Sequence, residues 1–393
     1  MVAAVASAPL AHAGGPFIYA DNGSIVKWPT TGGFTSVTLT LDQGNLGLLA
    51  NAQADGLVAD VIGVWNGVSQ STVRLTIAAA PLTTDVTHLN YQSFVGLVAP
   101  LHGFNPLVYD VDGQIMDLLA GNGGNQFLGY ASPVYYVDAN NNPAPGNIVE
   151  GRVVLNGRFL DGNTIAPNPE VPTAEFEGVI VHELGHMLGL DHSQINPMDP
   201  TNNTQPTMVP FFVPGTSGMR TLKMDDIAWI SYLYPSAQYA ASFGSISGQV
   251  IERVGPTDQG FQGINVIARR VGGARIDAIS CVSGYVYYAG FGSPDLAGRY
   301  LIPGAPPTSY TVEIERVFSG YTGGSSVGPL DPPVGFPGIS GPEFYNGPRE
   351  SAYDTPTEKT NIPVAVGVQT SNINVILNTQ TQPAHAARWA TYR

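Results

Sequence analysis

The stretch VHELGHMLGLDHS, residues 181–193, constrains this chain more than any other. It sets three of the seven histidines within eleven positions, with a glutamate directly after the first. His182 and His186 are four apart, which on a helix places them about 40° apart around the axis and ~6 Å along it, so their rings can converge on one point. Had the helix run on, His192 would lie ~9 Å beyond His186, whereas imidazole nitrogens bound to one zinc at about 2.0–2.1 Å sit within ~4 Å of each other. The helix must therefore stop between them. Gly189 is where it can, because a residue without Cβ takes the left-handed conformation that ends a helix and turns the chain back.

Three neutral imidazoles would leave zinc its full double charge and an open fourth position, conditions under which a bound water ionises near neutrality. Glu183 lies one residue from a ligand but rotated around the helix. Its carboxylate is thus free of the metal and placed to take a proton from zinc-bound water as general base. The bland alternative, an amphipathic helix with incidental histidines, gives no reason for the glutamate and the two glycines to fall in the same eleven positions.

The pattern His182-Glu183-x-x-His186-x-x-Gly189-x-x-His192 resembles the zinc signature of the metzincin metalloendopeptidases, and GLDHS narrows the likeness to the matrixin branch. KMDDIAWISYLYP, with Asp225 and Asp226, is similar to the matrixin C-terminal helix, and VIGVWNGVSQSTVRL carries Trp65 as in that family; the resemblance covers about 17–238. It implies an endopeptidase acting on internal bonds of protein or peptide substrates. It also implies a methionine turn beneath the metal, for which Met208 in PTMVPFF is the favoured residue and Met198 in NPMDP the competitor. Pro200 or Pro210 stands where astacins and serralysins carry a further tyrosine ligand, and no cysteine-bearing prodomain is present.

Other acids and histidines are less specific. Asp110, Asp112 and Asp117 in YDVDGQIMD could hold the structural calcium that the resemblance allows, or form an ordinary Asp-Gly turn; an EF-hand loop would need a Glu at its twelfth position. His88 and His102 lack the His-x-Asp spacing of a second matrixin zinc and read as ordinary histidines. FLGYASPVYY reads either as the edge strand that pairs with substrate or as an interior strand.

The pattern along the chain predicts an α+β protein: a metzincin-type domain, 17–238, with a twisted sheet and the active-site helix, followed by an all-β sandwich, 244–379, and a tail, 380–393. SVTLTL alternates as a strand, residues 51–68 carry apolar residues at helical spacing, and 72–160 read as short strands between turns. A helix capped by Thr173 carries the histidines, and another ends at Pro235. Beyond 240 the strands SISGQV, GINVIAR, YVYYAG, GRYLIPG, SYTVEI and SNINVIL resemble the carboxypeptidase-regulatory-like, transthyretin-type sandwich, the likeness resting on Gly298, Tyr300, Pro303, Tyr310 and Val312. No catalytic constellation falls in this region, which leaves it as a binding module or a stabilising spacer.

A formal charge of -14, from 30 acidic and 16 basic residues, disfavours nucleic acid and anionic lipid as partners. Cys281 is the only cysteine, so no intrachain disulfide forms and its thiol reads as a small buried hydrophobe. No run of about 18 apolar residues suggests a membrane span. The opening MVAAVASAPLAHAGGP ends in an Ala-x-Ala site and reads as the remnant of a secretion signal, 1–16, or as a plain disordered terminus. The expectation is a secreted, monomeric zinc endopeptidase; the rival is an extracellular adhesin with a vestigial protease fold.

Overall fold

The computed structural model describes residues 2–5, 15–20, 22, 24–96, 99–121, 124–139, 143–165, 167–195, 205–212, 215, 218–261, 263–284, 297–316 and 342–378. Its N-terminal part is built on a six-stranded sheet of β1 (Val2–Val5), β2 (Thr35–Leu41), β3 (Val73–Ile77), β4 (Asn105–Asp110), β5 (Gly129–Val137) and β6 (Glu150–Asn156), in the order β1-β5-β6-β4-β2-β3. The strands β3, β2, β4 and β6 run parallel; β5 is antiparallel to β6, and β1 to β5. All of β6 is buried, as expected of a strand covered on both faces, whereas β2 alternates along Thr35–Ser36–Val37–Thr38–Leu39 before it sinks fully into the core.

Helix α1 (Asn51–Asn66) turns Ala54, Val58, Val61 and Trp65 inward, the face its spacing predicts. Helix α2 (Gln114–Leu119) is a departure from the reading of 72–160 as strands and turns. It is only six residues long, too short for a helical period to stand out, and it starts where Asp110 accepts the backbone N–H groups of Ile115 and Met116. Helix α3 (Thr173–Met187) carries the histidines; Pro172 occupies the cap position and Thr173 is the first helical residue, so Thr173 is not the cap. Trp65 Nε1 donates to the Val181 carbonyl at 2.9 Å, which fixes α1 against α3. Helix α4 (Met224–Leu233) follows with Asp225 and Asp226 in its first turn, both buried.

Among the described residues beyond 243 there are strands, turns and one 3-10 turn, Gly347–Arg349. One sheet orders β10 (Ala278–Val282), β9 (Asn265–Arg270), β12 (Ser309–Glu315) and β13 (Glu343–Phe344), with β14 (Ile362–Pro363) also on β12. The other orders β11 (Arg299–Ala305), β7 (Gly244–Val254) and β15 (Gln369–Thr370), with β8 (Thr257–Gly260) and β16 (Val375–Ile376) also on β7. Strand β10, absent from the sequence reading, is wholly buried and contains Cys281; YVYYAG lies outside the described residues. One apolar cluster runs through both parts of the chain, from Trp65 and Trp229 to Ile246 and Val312. Among the described residues no helix is long and apolar enough to cross a membrane.

Candidate metal centre

Helix α3 ends as its sequence requires. Gly189 has φ +88°, its N–H donates to the His186 carbonyl at 2.8 Å, and the Leu190 N–H reaches back to the Gly185 carbonyl at 3.0 Å. This pair of bonds is the Schellman arrangement, which satisfies carbonyls that a helix end otherwise leaves bare. Trp28 Nε1 and the Tyr234 hydroxyl take the carbonyls of Met187 and Leu188 at 2.8 and 2.5 Å. The chain then reverses and brings His192 back over the helix.

The three rings meet. Their Nε2 atoms lie 3.1 Å (His182 to His186), 3.0 Å (His186 to His192) and 3.3 Å (His182 to His192) apart. Tetrahedral zinc with bonds of about 2.0–2.1 Å would separate its nitrogens by about 3.3 Å. His182 Nδ1 faces the Thr207 carbonyl at 2.8 Å and His186 Nδ1 the Leu190 carbonyl at 2.9 Å. A carbonyl can only accept, so these rings carry their proton on Nδ1 and turn bare Nε2 lone pairs toward one another. Burial drives the pKa of His182 down to about 4 and that of His186 to about 3, and holds His192 well below the usual range. Three buried, uncharged acceptors facing one point are a donor set that a cation satisfies. Among the described residues this is the only group of three or more His, Cys, Asp or Glu side chains gathered closely enough to hold a metal ion.

Glu183 is buried, and burial lifts its pKa to about 8. The backbone of β5 presses on it: a Cβ placed on Gly129 would come within 2.7 Å of Glu183 Cγ. Gly129 is thus part of the site by its missing side chain, and nothing in the sequence pattern singles it out. Met208 is buried beneath α3, its sulfur against Gly185, the residue before His186. Met198 lies outside the described residues.

Two aspartates hold this arrangement from behind. The Asp226 carboxylate accepts the N–H groups of Thr207 at 2.9 Å, Met208 at 3.0 Å and Lys223 at 2.7 Å. The turn that supplies the carbonyl for His182 is therefore fastened to α4. Ser193, next to His192, donates its N–H to the Met208 carbonyl at 2.7 Å. Asp225 accepts the N–H of Ser280 on β10 at 2.7 Å, and the Ser193 side chain bonds the same carboxylate. Ser280 Oγ in turn takes the Gln194 N–H at 3.1 Å, Asn265 Nδ2 donates to the Gln194 carbonyl at 2.8 Å, and Ile195 packs with Ile267 and Ala278. The loop leaving the third histidine is gripped by the C-terminal sheets.

The calcium expectation finds a different geometry. Asp110 caps α2, Asp117 forms an ion pair with Arg158 at 2.6 Å, and Asp112 accepts from Gln114. These carboxylates are spent on the turn itself and do not gather at one point. His102 stacks on Phe94 and bonds Glu150 at 2.9 Å and the Ser93 carbonyl at 2.6 Å, as an ordinary structural histidine does. Strand β5 is paired along one side by β6 over Gly129–Val134, and on the other side by β1 over Val134–Val137 only.

A buried trio of imidazoles with a carboxylate one residue from the first defines the class: a centre of the metallopeptidase type. The particular likeness is to the family model described as Matrixin, a peptidase family, which matches residues 144–235. That span holds all three histidines, Glu183, Met208 and both aspartates of α4. No curated protein matches the chain significantly. Three solved structures are similar at low identity. A minor pilin, GBS52 of Streptococcus agalactiae, shares 12% identity over 36% of this chain and 48% of its own, with a TM-score of 0.20. Metalloproteinase-II from Bacteroides fragilis shares 15% over 53% and 56%, with a TM-score of 0.25. Catalytically inactive OgpA from Akkermansia muciniphila, in complex with an O-glycopeptide substrate, shares 11% over 76% and 92%, with a TM-score of 0.24. The chain spans about half the length of the first two, 48% and 56%.

Proposed function

We propose that the chain is a secreted zinc endopeptidase that hydrolyses internal peptide bonds of proteins, with His182, His186 and His192 as ligands and Glu183 as general base. The observation that carries this reading is the convergence of three Nε2 atoms within 3.0–3.3 Å, those of His182 and His186 left bare by their Nδ1 bonds, beside a buried glutamate that is not one of them. Zinc bound there would supply a Lewis acid that polarises a carbonyl and acidifies water. Glu183, made a stronger base by burial, takes the proton from the attacking water and can deliver it to the departing amine. Gly129 fixes where that carboxylate stands.

Peptide substrate has a place to lie. Along Gly129–Pro133 the outer side of β5 has no partner strand among the described residues, and this stretch begins at the residue touching Glu183. An extended peptide pairing there would be held past the histidines as an added strand. The small-residue opening with its Ala11-His12-Ala13 site supports secretion, and β1 (Val2–Val5) lies in the segment that cleavage there would remove. For residues 244–379 the reading stays a carboxypeptidase-regulatory-like sandwich, whose part in the site is to grip the loop after His192. The test is incubation of the full chain with a mixed peptide library, with and without a zinc chelator, and sequencing of the products. Cleavage at internal bonds that stops with chelator and returns with zinc supports the proposal; cleavage indifferent to chelator refutes it.

A further inference from the structure

Strand β1 (Val2–Val5) lies on the edge that a peptide would use. It runs antiparallel to β5, with Val2 opposite Val137, Ala3 opposite Tyr136, Ala4 opposite Tyr135 and Val5 opposite Val134. From Val5 the register therefore points down the same edge toward Gly129, the residue whose missing side chain makes room for Glu183. Strand β6 holds the other side of β5 from Gly129 to Val134. A peptide laid along the whole outer edge would collide with β1 over Val134–Val137.

The same stretch of chain is anchored a second time beside the metal centre. The Phe17 N–H donates to the Gly189 carbonyl at 2.7 Å, the Asp191 N–H donates to the Gly15 carbonyl at 3.0 Å, and Pro16 pairs with Leu190. The Phe17 ring meets His186 edge-on, with ring centroids 5.7 Å apart. Gly15, Pro16 and Phe17 thus sit on the loop between the second and third histidines, while Val5 lies on the sheet edge that leads to Glu183. Nine residues, 6–14, separate the two anchors. So short a tether holds a strand at an effective concentration on the order of millimolar, and pairing too weak to matter between molecules then prevails within one.

We infer that, given the peptidase reading above, β1 is an autoinhibitory strand: it occupies in cis the edge of β5 that an extended peptide substrate needs, and its removal opens that edge. The only thiol, Cys281, is buried in β10 and takes no part in this control. Strand addition works through backbone groups and asks for no particular side chain, and the two central alanines of VAAV, poor strand formers, keep the partner displaceable. Cleavage after Ala13, where the Ala11-His12-Ala13 pattern invites it, would take β1 away and leave the Gly15–Phe17 anchor in place.

The test keeps the full chain and introduces Ala3→Pro with Ala4→Pro. Antiparallel partners bond at alternate residues, so in either phase one of the two prolines removes a bonded N–H. Hydrogen exchange of β5 over Val134–Val137 should quicken. In a Glu183→Gln background, so that the probe is not cut, a fluorescein-labelled MVAAVASAPL peptide should bind the proline variant about tenfold tighter than the chain with β1 intact. With Glu183 in place, KM for library peptides of about ten residues should fall about tenfold at nearly constant kcat. Ala3→Val with Ala4→Val, better strand formers, should move all three readouts the other way. Unchanged exchange would show that β1 does not hold the edge, and equal peptide binding or equal KM that it does not bar substrate; each overturns the inference. If neither chain cuts any peptide, the peptidase reading falls, while exchange and labelled-peptide binding still decide whether β1 competes for the edge.

Discussion

Asp225 on α4 accepts the backbone N–H of Ser280 on β10 at 2.7 Å, and through this bond the C-terminal sheets reach the metal centre. Ser280 also takes Trp229 Nε1 on its carbonyl at 2.9 Å and the Gln194 N–H on its hydroxyl at 3.1 Å. Every group proposed for catalysis lies before residue 238, which by itself suggests a detachable protease. The contacts argue otherwise. A chain ending at 238 would expose Trp229 and Ile195 and take from Asp225 the Ser280 N–H, leaving it the Ser193 side chain alone, a loss on the order of several kcal/mol. It should melt lower and release zinc faster than the full chain, as calorimetry and chelator competition would register. Equal melting and equal zinc release would show the module to be a passive appendage.

Asp226 should matter as much as a ligand although it never touches metal. Asp226→Ala strips the partner from the N–H groups of Thr207, Met208 and Lys223. At about 1–3 kcal/mol for each buried group left bare, the loss should be about 3 kcal/mol or more, with zinc affinity falling because Thr207 no longer steadies His182. Chemical denaturation alongside zinc titration would read both effects.

Gly129→Ala separates base from ligands. The added Cβ must displace Glu183, whose Cγ stands 2.7 Å from it, and the three atoms nearest to it all belong to Glu183. Peptide cleavage should fall tenfold or more while zinc content stays at one per chain. A variant with wild-type turnover would place the working position of Glu183 elsewhere.

Much of this centre was legible because ligand chemistry leaves a dense local signature. The spacing of His182, His186 and His192, and the need for Gly189 to end the helix, follow from helix geometry alone. What escaped the sequence reading acts through backbone or through absence: the carbonyls of Thr207 and Leu190, the missing Cβ of Gly129, the N–H of Ser280. Such groups belong to every residue type and carry no pattern. Helix α2 escaped for a related reason, being set by Asp110 at its start and too short to show a period. The Glu343 carboxylate and the Asn378 N–H that it accepts are 35 residues apart and meet only in the folded chain. Asp110, Asp112 and Asp117, in contrast, left a cation site and an ordinary turn both open in one dimension and are an ion pair and a helix cap in three.

Stability of the metal-free chain should depend on pH through Glu343 and Glu350. Both hold a proton more tightly folded than unfolded, so the stability they lend is complete below the usual glutamate pKa near 4.5 and is lost as pH rises through about 7 and about 8. Glu350 and Asp354 face Glu343, and Tyr300 and Tyr345 lie near Glu350; among the described residues no basic group figures among the causes of either shift. Melting between pH 5 and pH 9 should therefore fall more steeply in wild type than in the Glu343→Gln, Glu350→Gln double variant. Parallel curves would show that these carboxyls titrate as ordinary surface acids.

Glu183→Gln tests the central claim most directly, because it removes the proposed base while keeping its size and leaving all three histidines. Zinc content, melting temperature and peptide cleavage should be measured together on this variant and on wild type. The account predicts one zinc per chain and near wild-type melting in both, with cleavage reduced by roughly 10² to 10⁴-fold in the variant. Cleavage within about threefold of wild type would contradict it, being less than the ~1.4 kcal/mol that a tenfold loss represents. So would a zinc-loaded wild type that cuts nothing across a broad peptide library, an outcome that would instead favour an adhesin built on a protease fold.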